Sequence, residues 1–210
     1  MIRVVIVDDH ALVRRGLSET LASEGDIAVV GEGSRSEEVL AALAAHPCDV
    51  LLLDLSMPGR GGVEVLEDVQ REYPHVRVVI VSTYEPVQYA VRCFRAGARG
   101  YVAKSAAVNE VVAAVRSVMR TGRYISDDAA AALADAVAGN SSAHHGLSNR
   151  EYEVFRQLAS GRTVSEIAAD LSLSVKTIST YRTRLLQKLG VRSTADLLRY
   201  AIEQKLFETV

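Results

Sequence analysis

The chain has 210 residues, of which 49% are hydrophobic and 24% charged, and this length suffices for one large domain or two small ones. Residues 144–210 carry ten Lys/Arg against seven Asp/Glu, whereas residues 1–143 carry 14 against 19. The first part of the sequence is therefore acidic and the last part basic. No apolar run approaches the roughly 20 residues of a membrane helix, and the early acids exclude a secretory signal.

The first 120 residues alternate short apolar runs with amphipathic stretches. The runs, which are rich in Val and Ile, are predicted strands at residues 2–7, 27–30, 50–53, 76–81 and 100–103. The stretches between them are predicted helices at residues 11–25, 36–45, 62–73, 86–97 and 108–122. Gly25, Gly97 and Gly122 are natural helix stops. Five βα units predict a doubly wound parallel sheet with helices on both faces.

The segment 125–146 separates this pattern from the rest of the chain. Its Ala-rich first part can be helical, and the sequence GNSSAHHG is typical of a flexible joint. We therefore predict a first domain over residues 1–122, a partly helical linker over 123–146 and a second domain over 147–210. The two cysteines, Cys48 and Cys93, have no CxxC spacing, which favours reduced thiols in a cytoplasmic protein.

The second domain has helix-start signals and no strand-like run. Capping-box spacing occurs in three pairs, which are Ser148 with Glu151, Thr163 with Glu166, and Ser193 with Asp196. The predicted helices span residues 149–159, 164–171, 175–189 and 194–205. Four short helices in a basic domain indicate a small all-α helix-turn-helix fold that binds DNA.

Polar side chains follow four strands of the predicted sheet. Asp8 and Asp9 end the first strand, Asp54 the third, Ser82 the fourth and Lys104 the fifth. In an open parallel sheet, the carboxyl ends of the strands form one edge, where ligands bind. A single Asp there is most simply a solvated loop residue, but five such residues at matching strand ends predict a site.

Charge indicates the chemistry of this site. Three clustered carboxylates repel each other unless they share a cation, and an all-oxygen site suits Mg²⁺. Asp54 can then act as a nucleophile toward a phosphoryl group, while the metal and Lys104 neutralise the developing charge. Ser82 is placed to donate a hydrogen bond to the transferred group. No general acid or base is obvious, as expected for phosphoryl transfer.

The residues DD at 8–9, D-x-x-M-P-G at 54–59, Ser82 and Lys104 resemble the receiver domain of bacterial two-component response regulators. The resemblance implies a flavodoxin-like fold and a sensor histidine kinase that supplies the phosphoryl group to Asp54. It also implies that Asp8, Asp9, Asp54 and the main-chain oxygen of Ser56 hold Mg²⁺. Ser82 and Tyr101 would form the switch pair, in which the hydroxyl moves toward the phosphoryl group and the ring turns inward.

The third helix of the second domain has one apolar and one polar face. Val175, Ile178, Leu185 and Leu189 fall on the apolar face, and Lys176 to Arg192 contains five Lys/Arg and no acid. A solvated basic face is the simpler interpretation, but the preceding capped helix and short turn favour insertion into the major groove. The residues predicted to face base edges are Ser179, Thr180 and Thr183. The residues predicted to contact phosphates are Lys176, Arg182, Arg184 and Lys188.

The elements L-S-x-R-E at 147–151, E-I-A at 166–168, V-K-T-I at 175–178 and K-L-G at 188–190 are similar to the LuxR-type helix-turn-helix. In that family the last helix mediates dimerisation, which would involve Leu197, Leu198 and Ala201; packing within the domain is an equal alternative. A receiver followed by this domain resembles the NarL/FixJ class of response regulators. The resemblance implies a transcription factor, not an enzyme, that binds promoter DNA as a homodimer and acts on RNA polymerase.

Two other functions stay open from the sequence. The first domain could be a Mg²⁺-dependent phosphohydrolase, although Ser56 stands where a haloacid-dehalogenase phosphatase has a second acid. Alternatively, the protein could bind DNA without phosphorylation, with the first domain serving for dimerisation. The complete set of acids, hydroxyl and lysine argues against this second alternative.

Overall fold

A computed structural model describes residues 1–57, 59–84, 86–106, 108–137, 146–204 and 206 of the chain. The chain divides into two compact units, Met1–Val137 and Ala138–Val210. Among the residues described, no helix combines the length and the apolar character that crossing a membrane requires.

The first unit is built around a parallel sheet. Its strands are β1 (Ile2–Val7), β2 (Ile27–Gly33), β3 (Val50–Leu53), β4 (Arg77–Ser82) and β5 (Gly100–Ala103), in the spatial order β2-β1-β3-β4-β5. Its helices are α1 (Ala11–Ser23), α2 (Val39–Ala45), α3 (Gly62–Glu72), α4 (Pro86–Arg95), α5 (Val108–Thr121) and α6 (Asp127–Val137), with one 3₁₀ turn at Ser36–Glu38. The order and direction of the strands confirm the predicted fold class.

The core lies on the faces of the sheet because successive strand side chains point to opposite sides. On one face, Val4 of β1, Leu52 of β3 and Val79 of β4 pack with Leu21 of α1 and Val115 of α5. All four residues of β3 are buried, as expected for a central strand covered on both faces. The register aligns Val7 at the end of β1 with Leu53 at the end of β3. The residues that follow the two strands therefore begin at the same height along the sheet.

Two local predictions need correction. The strand predicted over 27–30 continues to Gly33 because Gly31, Glu32 and Gly33 pair with the end of β1, where an edge strand tolerates glycine. Gly25 does not stop α1, which ends at Ser23, and Glu24 leaves the helix in an extended conformation. Gly97 and Gly122 do adopt positive φ angles of 104° and 81°, as expected for helix stops.

Helix α6 falls inside the segment predicted as a partly helical linker. It packs against α4 as part of the first unit, and Ala129 and Ala132 are buried. The joint predicted at 139–146 lies outside the described residues except for Gly146. The domain bounds 1–122, 123–146 and 147–210 stay a prediction.

The second unit contains α7 (Asn149–Ala159), α8 (Val164–Asp170), α9 (Val175–Leu189) and α10 (Thr194–Glu203). Each begins at a residue whose side chain accepts a hydrogen bond from the backbone N–H three positions on; these residues are Ser148, Thr163, Ser174 and Ser193. Full capping boxes form at Ser148 and Thr163, where the side chain of the glutamate three positions on also accepts a hydrogen bond from the backbone N–H of the capping residue. Gly190, with a φ angle of 67°, ends α9.

A close approach joins the start of α3 to the residue that follows Asp54. A Cβ atom on Gly62 would lie 2.6 Å from the Leu55 Cα and 2.9 Å from its carbonyl oxygen. These are backbone atoms, so no side-chain rotation can relieve the overlap. Gly62 thus lets α3 pack directly under the loop that carries Asp54.

We expect Gly62→Ala to lower the free energy of unfolding of the first unit by about 1–3 kcal/mol, because the added methyl group overpacks the loop. The matched control is Gly16→Ala in α1, where a Cβ meets no atom within 4 Å. That variant is expected to stabilise the unit by about 0.5–1 kcal/mol through helix propensity. Urea unfolding followed by circular dichroism measures both; equal effects of the two changes would contradict the close approach.

Candidate functional site

Four strands bring charged and polar side chains to the carboxyl edge of the sheet. Asp8 follows β1, Asp54 follows β3, Ser82 ends β4 and Lys104 follows β5. Backbone hydrogen bonds extend the sheet pairing to this edge, from Asp54 N–H to the Val7 carbonyl at 2.9 Å and from Lys104 N–H to the Ser82 carbonyl at 2.7 Å. The structure therefore brings the predicted residues together, with Asp8, Asp54 and Ser82 buried.

Lys104 holds two of the carboxylates. Its Nζ lies 2.7 Å from Asp54 Oδ2 and 2.8 Å from Asp8 Oδ2, and its side chain is 7% exposed. Asp9 is the third carboxylate, and its side chain is 26% exposed. One ammonium thus faces three carboxylates at the edge of a low-dielectric interior, so the cluster favours a further cation.

The protonation of Asp54 and Lys104 follows from burial and pairing. Burial raises the pKa of Asp54, although Lys104 and the Ser56 N–H favour its ionised form. Burial favours the neutral form of Lys104, but the carboxylates of Asp54 and Asp8 outweigh it and raise the pKa of this ammonium. Lys104 is therefore charged, and added positive charge would promote ionisation of Asp54.

The carboxylates fit a divalent cation. Asp8 Oδ2 and Asp9 Oδ1 are shielded from solvent and accept no hydrogen bond of suitable angle, although charged groups lie near both. Asp8, Asp9, His10 and Asp54 each offer one donor atom, and these four atoms lie within 4.8 Å of one another. His10 was not predicted to belong to this group, since a single histidine next to two acids matches no metal-binding motif.

A group of hydroxyls lies next to Asp54. The Ser56 N–H donates to Asp54 Oδ1 at 2.9 Å, and Ser56 Oγ lies 3.5 Å from Ser82 Oγ and 3.1 Å from Thr83 Oγ1. Thr83 was not predicted, since it follows Ser82 without any motif of its own. The predicted role of the Ser56 main-chain oxygen as a metal ligand stays a prediction.

The backbone of Tyr84 links Tyr101 to Ser82 through two hydrogen bonds. The Tyr101 ring is fully buried, and its hydroxyl donates to the Tyr84 carbonyl at 2.7 Å. The Tyr84 N–H in turn donates to Ser82 Oγ at 3.3 Å, and the Tyr84 ring stacks on Tyr89 of α4 at a centroid distance of 4.6 Å. The backbone of Tyr84 therefore contacts both members of the predicted switch pair.

In the second unit, α8, a short turn and α9 follow one another as predicted for a helix-turn-helix. Ile178, Leu185 and Leu189 of α9 are buried, whereas Val175 is 51% exposed, contrary to its predicted place on the apolar face. Val175 is the first residue of α9, where the helix has not yet reached the core. The opposite face of α9 is open to solvent.

The predicted DNA-contacting residues differ in their surroundings. Those that are exposed are Lys176, Ser179, Thr180, Thr183, Arg184 and Lys188. Arg182 is half-buried, and its Nε donates to Thr194 Oγ1 at 2.9 Å. A surface depression on α9 is lined by Lys176, Thr177, Thr180, Tyr181 and Arg184. Thr177 and Tyr181 were not predicted to belong to this surface.

Lys188 forms an ion pair inside its own unit. Its Nζ lies 2.6 Å from Oε2 of Glu151, a residue that is 4% exposed. Burial of Glu151 favours its neutral form, but Lys188 and the Ser148 N–H and hydroxyl outweigh burial and lower the pKa of this carboxyl. The predicted contact of Lys188 with DNA phosphate stays a prediction.

The predicted dimerisation residues on α10 need correction. Leu197 and Ala201 are 0% and 1% exposed because they pack into the core of their own unit, so they are not available to a second copy. Leu198 is half-buried, and the exposed large apolar residue of α10 is Ile202, at 60%. Any contact through this helix would use its outer face.

Both units match known families. Residues 4–116 match the response regulator receiver domain, and residues 145–201 match the family described as bacterial regulatory proteins, luxR family. The chain belongs to the NarL/FixJ class of response regulators. It is thus a two-component response regulator whose LuxR-type domain binds DNA and regulates transcription.

Relatives of this response regulator match it over nearly its whole length. Response regulator UvrY of Escherichia coli O6:H1 is 37% identical over 98% of this chain and 96% of its own. Response regulator GacA of Pseudomonas aeruginosa is 36% identical over 99% of each chain. RcsB from Salmonella enterica serovar Typhimurium, solved on promoter rprA with the phosphomimetic BeF3⁻, is 29% identical, with a TM-score of 0.72 over 95% of this chain and 97% of that chain.

We expect Lys188→Gln to lower the free energy of unfolding of the second unit by about 1 kcal/mol at neutral pH, because it leaves Glu151 without its cation. Since the pKa of Glu151 is lowered in the folded state, the stabilisation is present above its ordinary pKa of about 4.3 and is lost as the pH falls through the folded-state value. Urea unfolding at several pH values measures this.

The matched control is Lys176→Gln, which removes an exposed cation of the same helix that pairs with no carboxylate among the described residues. It is expected to change stability little at any pH. A deficit for Lys188→Gln that persists unchanged in acid would show that the ion pair with Glu151 is not its cause.

Proposed function

We propose that this response regulator accepts a phosphoryl group on Asp54 from a cognate sensor histidine kinase and then binds promoter DNA as a dimer. The observation that carries the proposal is the convergence of Lys104 on Asp54 and Asp8, with Asp9 beside them, at the carboxyl edge of the sheet. The proposed site of action is the cytoplasm, and the further partner is RNA polymerase. The proposed domains are residues 1–122 and 147–210, joined by 123–146.

Asp8, Asp9, Asp54 and the main-chain oxygen of Ser56 are proposed to hold Mg²⁺. The support is the excess of carboxylates over ammonium groups and the two shielded oxygens that accept no hydrogen bond. When bound, Mg²⁺ supplies positive charge that offsets the repulsion between the carboxylates and the incoming phosphoryl oxygens.

In this proposal, residues of the chain itself carry out the phosphoryl transfer to Asp54. The Asp54 carboxylate attacks phosphorus, and the bond from phosphorus to the donor breaks, so that an acyl phosphate forms. Lys104, already charged and 2.7 Å from Asp54, neutralises charge on the phosphoryl oxygens, and the hydroxyls of Ser82 and Thr83 can donate hydrogen bonds to them. Positioning and electrostatics suffice, so no general base is required.

The proposed switch starts at Ser82. If its hydroxyl turns to the phosphoryl group, it ceases to accept the hydrogen bond from the Tyr84 N–H. Because Tyr84 also accepts from the Tyr101 hydroxyl and stacks on Tyr89, the change is passed to β5 and α4. The population of the DNA-binding form then rises with phosphorylation.

DNA binding is proposed through the exposed face of α9. Ser179, Thr180 and Thr183 are placed to reach base edges, while the basic residues contact phosphates. Thr180 and Thr183 donate to carbonyls one turn back, at 3.0 and 3.1 Å, which leaves their oxygens as acceptors. The structures of RcsB on promoter rprA and of two RcsB dimers bound to two parallel DNAs support the dimeric mode by analogy.

We expect Asp54→Asn to abolish phosphorylation of the protein by acetyl phosphate in the presence of Mg²⁺, because the amide cannot form an acyl phosphate. It should also abolish the phosphodonor-dependent gain in dimerisation and in affinity for bound genomic fragments. Intact mass spectrometry, sedimentation and gel shift measure the three effects. The control Asp68→Asn alters a carboxylate of α3 that pairs with Arg60 and Arg71, and it should label normally.

A phosphodonor-induced gain in DNA affinity that survives Asp54→Asn would overturn the proposed switch. Many turnovers of a small phosphate ester by the unchanged protein would instead favour the phosphohydrolase function.

For the DNA surface, we expect Arg184→Gln to reduce the slope of log affinity against log salt by about 0.9, the value for one lost phosphate contact on duplex DNA. Fluorescence anisotropy with a random-sequence duplex measures the slope. The matched control is Arg199→Gln on α10, which pairs with Asp196 at 2.8 Å and lies outside the proposed surface. Equal slopes for both variants and the unchanged protein would exclude Arg184 from the DNA contact.

A further inference from the structure

An imidazole lies beside the carboxylates, and the proposed transfer to Asp54 does not use it. His10 Nδ1 is 2.6 Å from Asp9 Oδ1, 3.4 Å from Asp8 Oδ1 and 3.9 Å from Asp54 Oδ2. Lys104 approaches the other oxygen of Asp8, whereas both side chains approach Oδ2 of Asp54. The imidazole therefore faces the same group of donor atoms that could surround a cation.

The spacing of His10 Nδ1 from Asp8 and Asp54 fits the coordination sphere of a six-coordinate ion. Ligands about 2.1 Å from such an ion lie about 3 Å apart when adjacent and about 4.2 Å apart when opposite. The distances from His10 Nδ1 to Asp8 and Asp54, 3.4 and 3.9 Å, fall between these values. The contact with Asp9 Oδ1, at 2.6 Å, is shorter than the separation of adjacent ligands, so a bound cation would move these two atoms apart.

We propose that His10 is an additional ligand of the cation site, so that this receiver binds a divalent transition-metal ion through three carboxylates and one imidazole. The inference rests on the proposed function, because it adds a nitrogen donor to the proposed cation site. Mg²⁺ needs only the oxygens, and it gains little from imidazole. Divalent transition-metal ions accept an imidazole nitrogen more readily than Mg²⁺ does, later ions of the row more strongly than Mn²⁺, so the site selects them over Mg²⁺.

Apart from the contacts of its imidazole with the three carboxylates, the hydrogen bonds that the structure shows for His10 are made by its backbone. The His10 N–H donates to Asp8 Oδ1 at 2.8 Å, and its carbonyl accepts from Arg14 N–H at 3.0 Å at the start of α1. The side chain is 54% exposed. Replacing the imidazole therefore keeps both backbone contacts and leaves the core untouched.

The test uses Mn²⁺ with the full-length protein, since this ion reports its own ligands. Electron spin echo envelope modulation of the bound Mn²⁺ should show coupling to a directly coordinated nitrogen. His10→Gln and His10→Ala should remove that coupling. The control His75→Gln changes another exposed histidine, which lies edge-on to Tyr73 away from the site, and should keep it.

Calorimetric titration with Mn²⁺ and Mg²⁺ gives the second measurement. The ratio of Mn²⁺ to Mg²⁺ affinity should fall at least about tenfold in His10→Gln, while Mg²⁺ affinity stays unchanged. The ligand role of His10 would be overturned if bound Mn²⁺ showed no nitrogen coupling and the ratio of Mn²⁺ to Mg²⁺ affinity were the same in the unchanged protein and in His10→Gln. That outcome would leave the proposed function intact. If neither ion binds, and Asp54 labels without a divalent cation, the proposed cation site fails as well.

Discussion

The first unit depends on one ammonium group held between two buried carboxylates. Lys104 is carried by the last strand, and Asp8 and Asp54 by the first and third, so the contact ties three strands together at one edge. Pairing one cation with three acids leaves the cluster short of positive charge. The same imbalance that makes the site costly to fold favours a cation there, as the proposed phosphoryl transfer requires.

The sequence determined the sheet and its functional edge because both follow from short-range patterns. Apolar runs mark buried strands, and a parallel sheet brings their ends to one edge, so Asp8, Asp54 and Lys104 could be grouped in advance. The contributions of Thr83 and Tyr84 could not, because they arise from a loop whose path is set by tertiary packing. Spacing along the chain carries no record of such contacts.

In the second unit, too, local features could be predicted from the sequence and tertiary contacts could not. Its caps were predicted because a cap is a local hydrogen bond between residues three apart. The apolar residues of α10 were harder to assign, since a pattern shows that Leu197 and Ala201 avoid water but not what covers them. The core of their own unit covers them, which leaves Ile202 as the exposed large apolar residue of that helix.

The position of Tyr84 has a consequence for how signalling can diverge among related proteins. The hydrogen bonds that join it to Ser82 and Tyr101 use its backbone N–H and carbonyl, which every residue except proline provides. The link between Ser82 and Tyr101, the two residues of the proposed switch, therefore does not depend on the side chain at this position. A substitution at this position can therefore alter the contact with α4 while the hydrogen bonds to Ser82 and Tyr101 are kept.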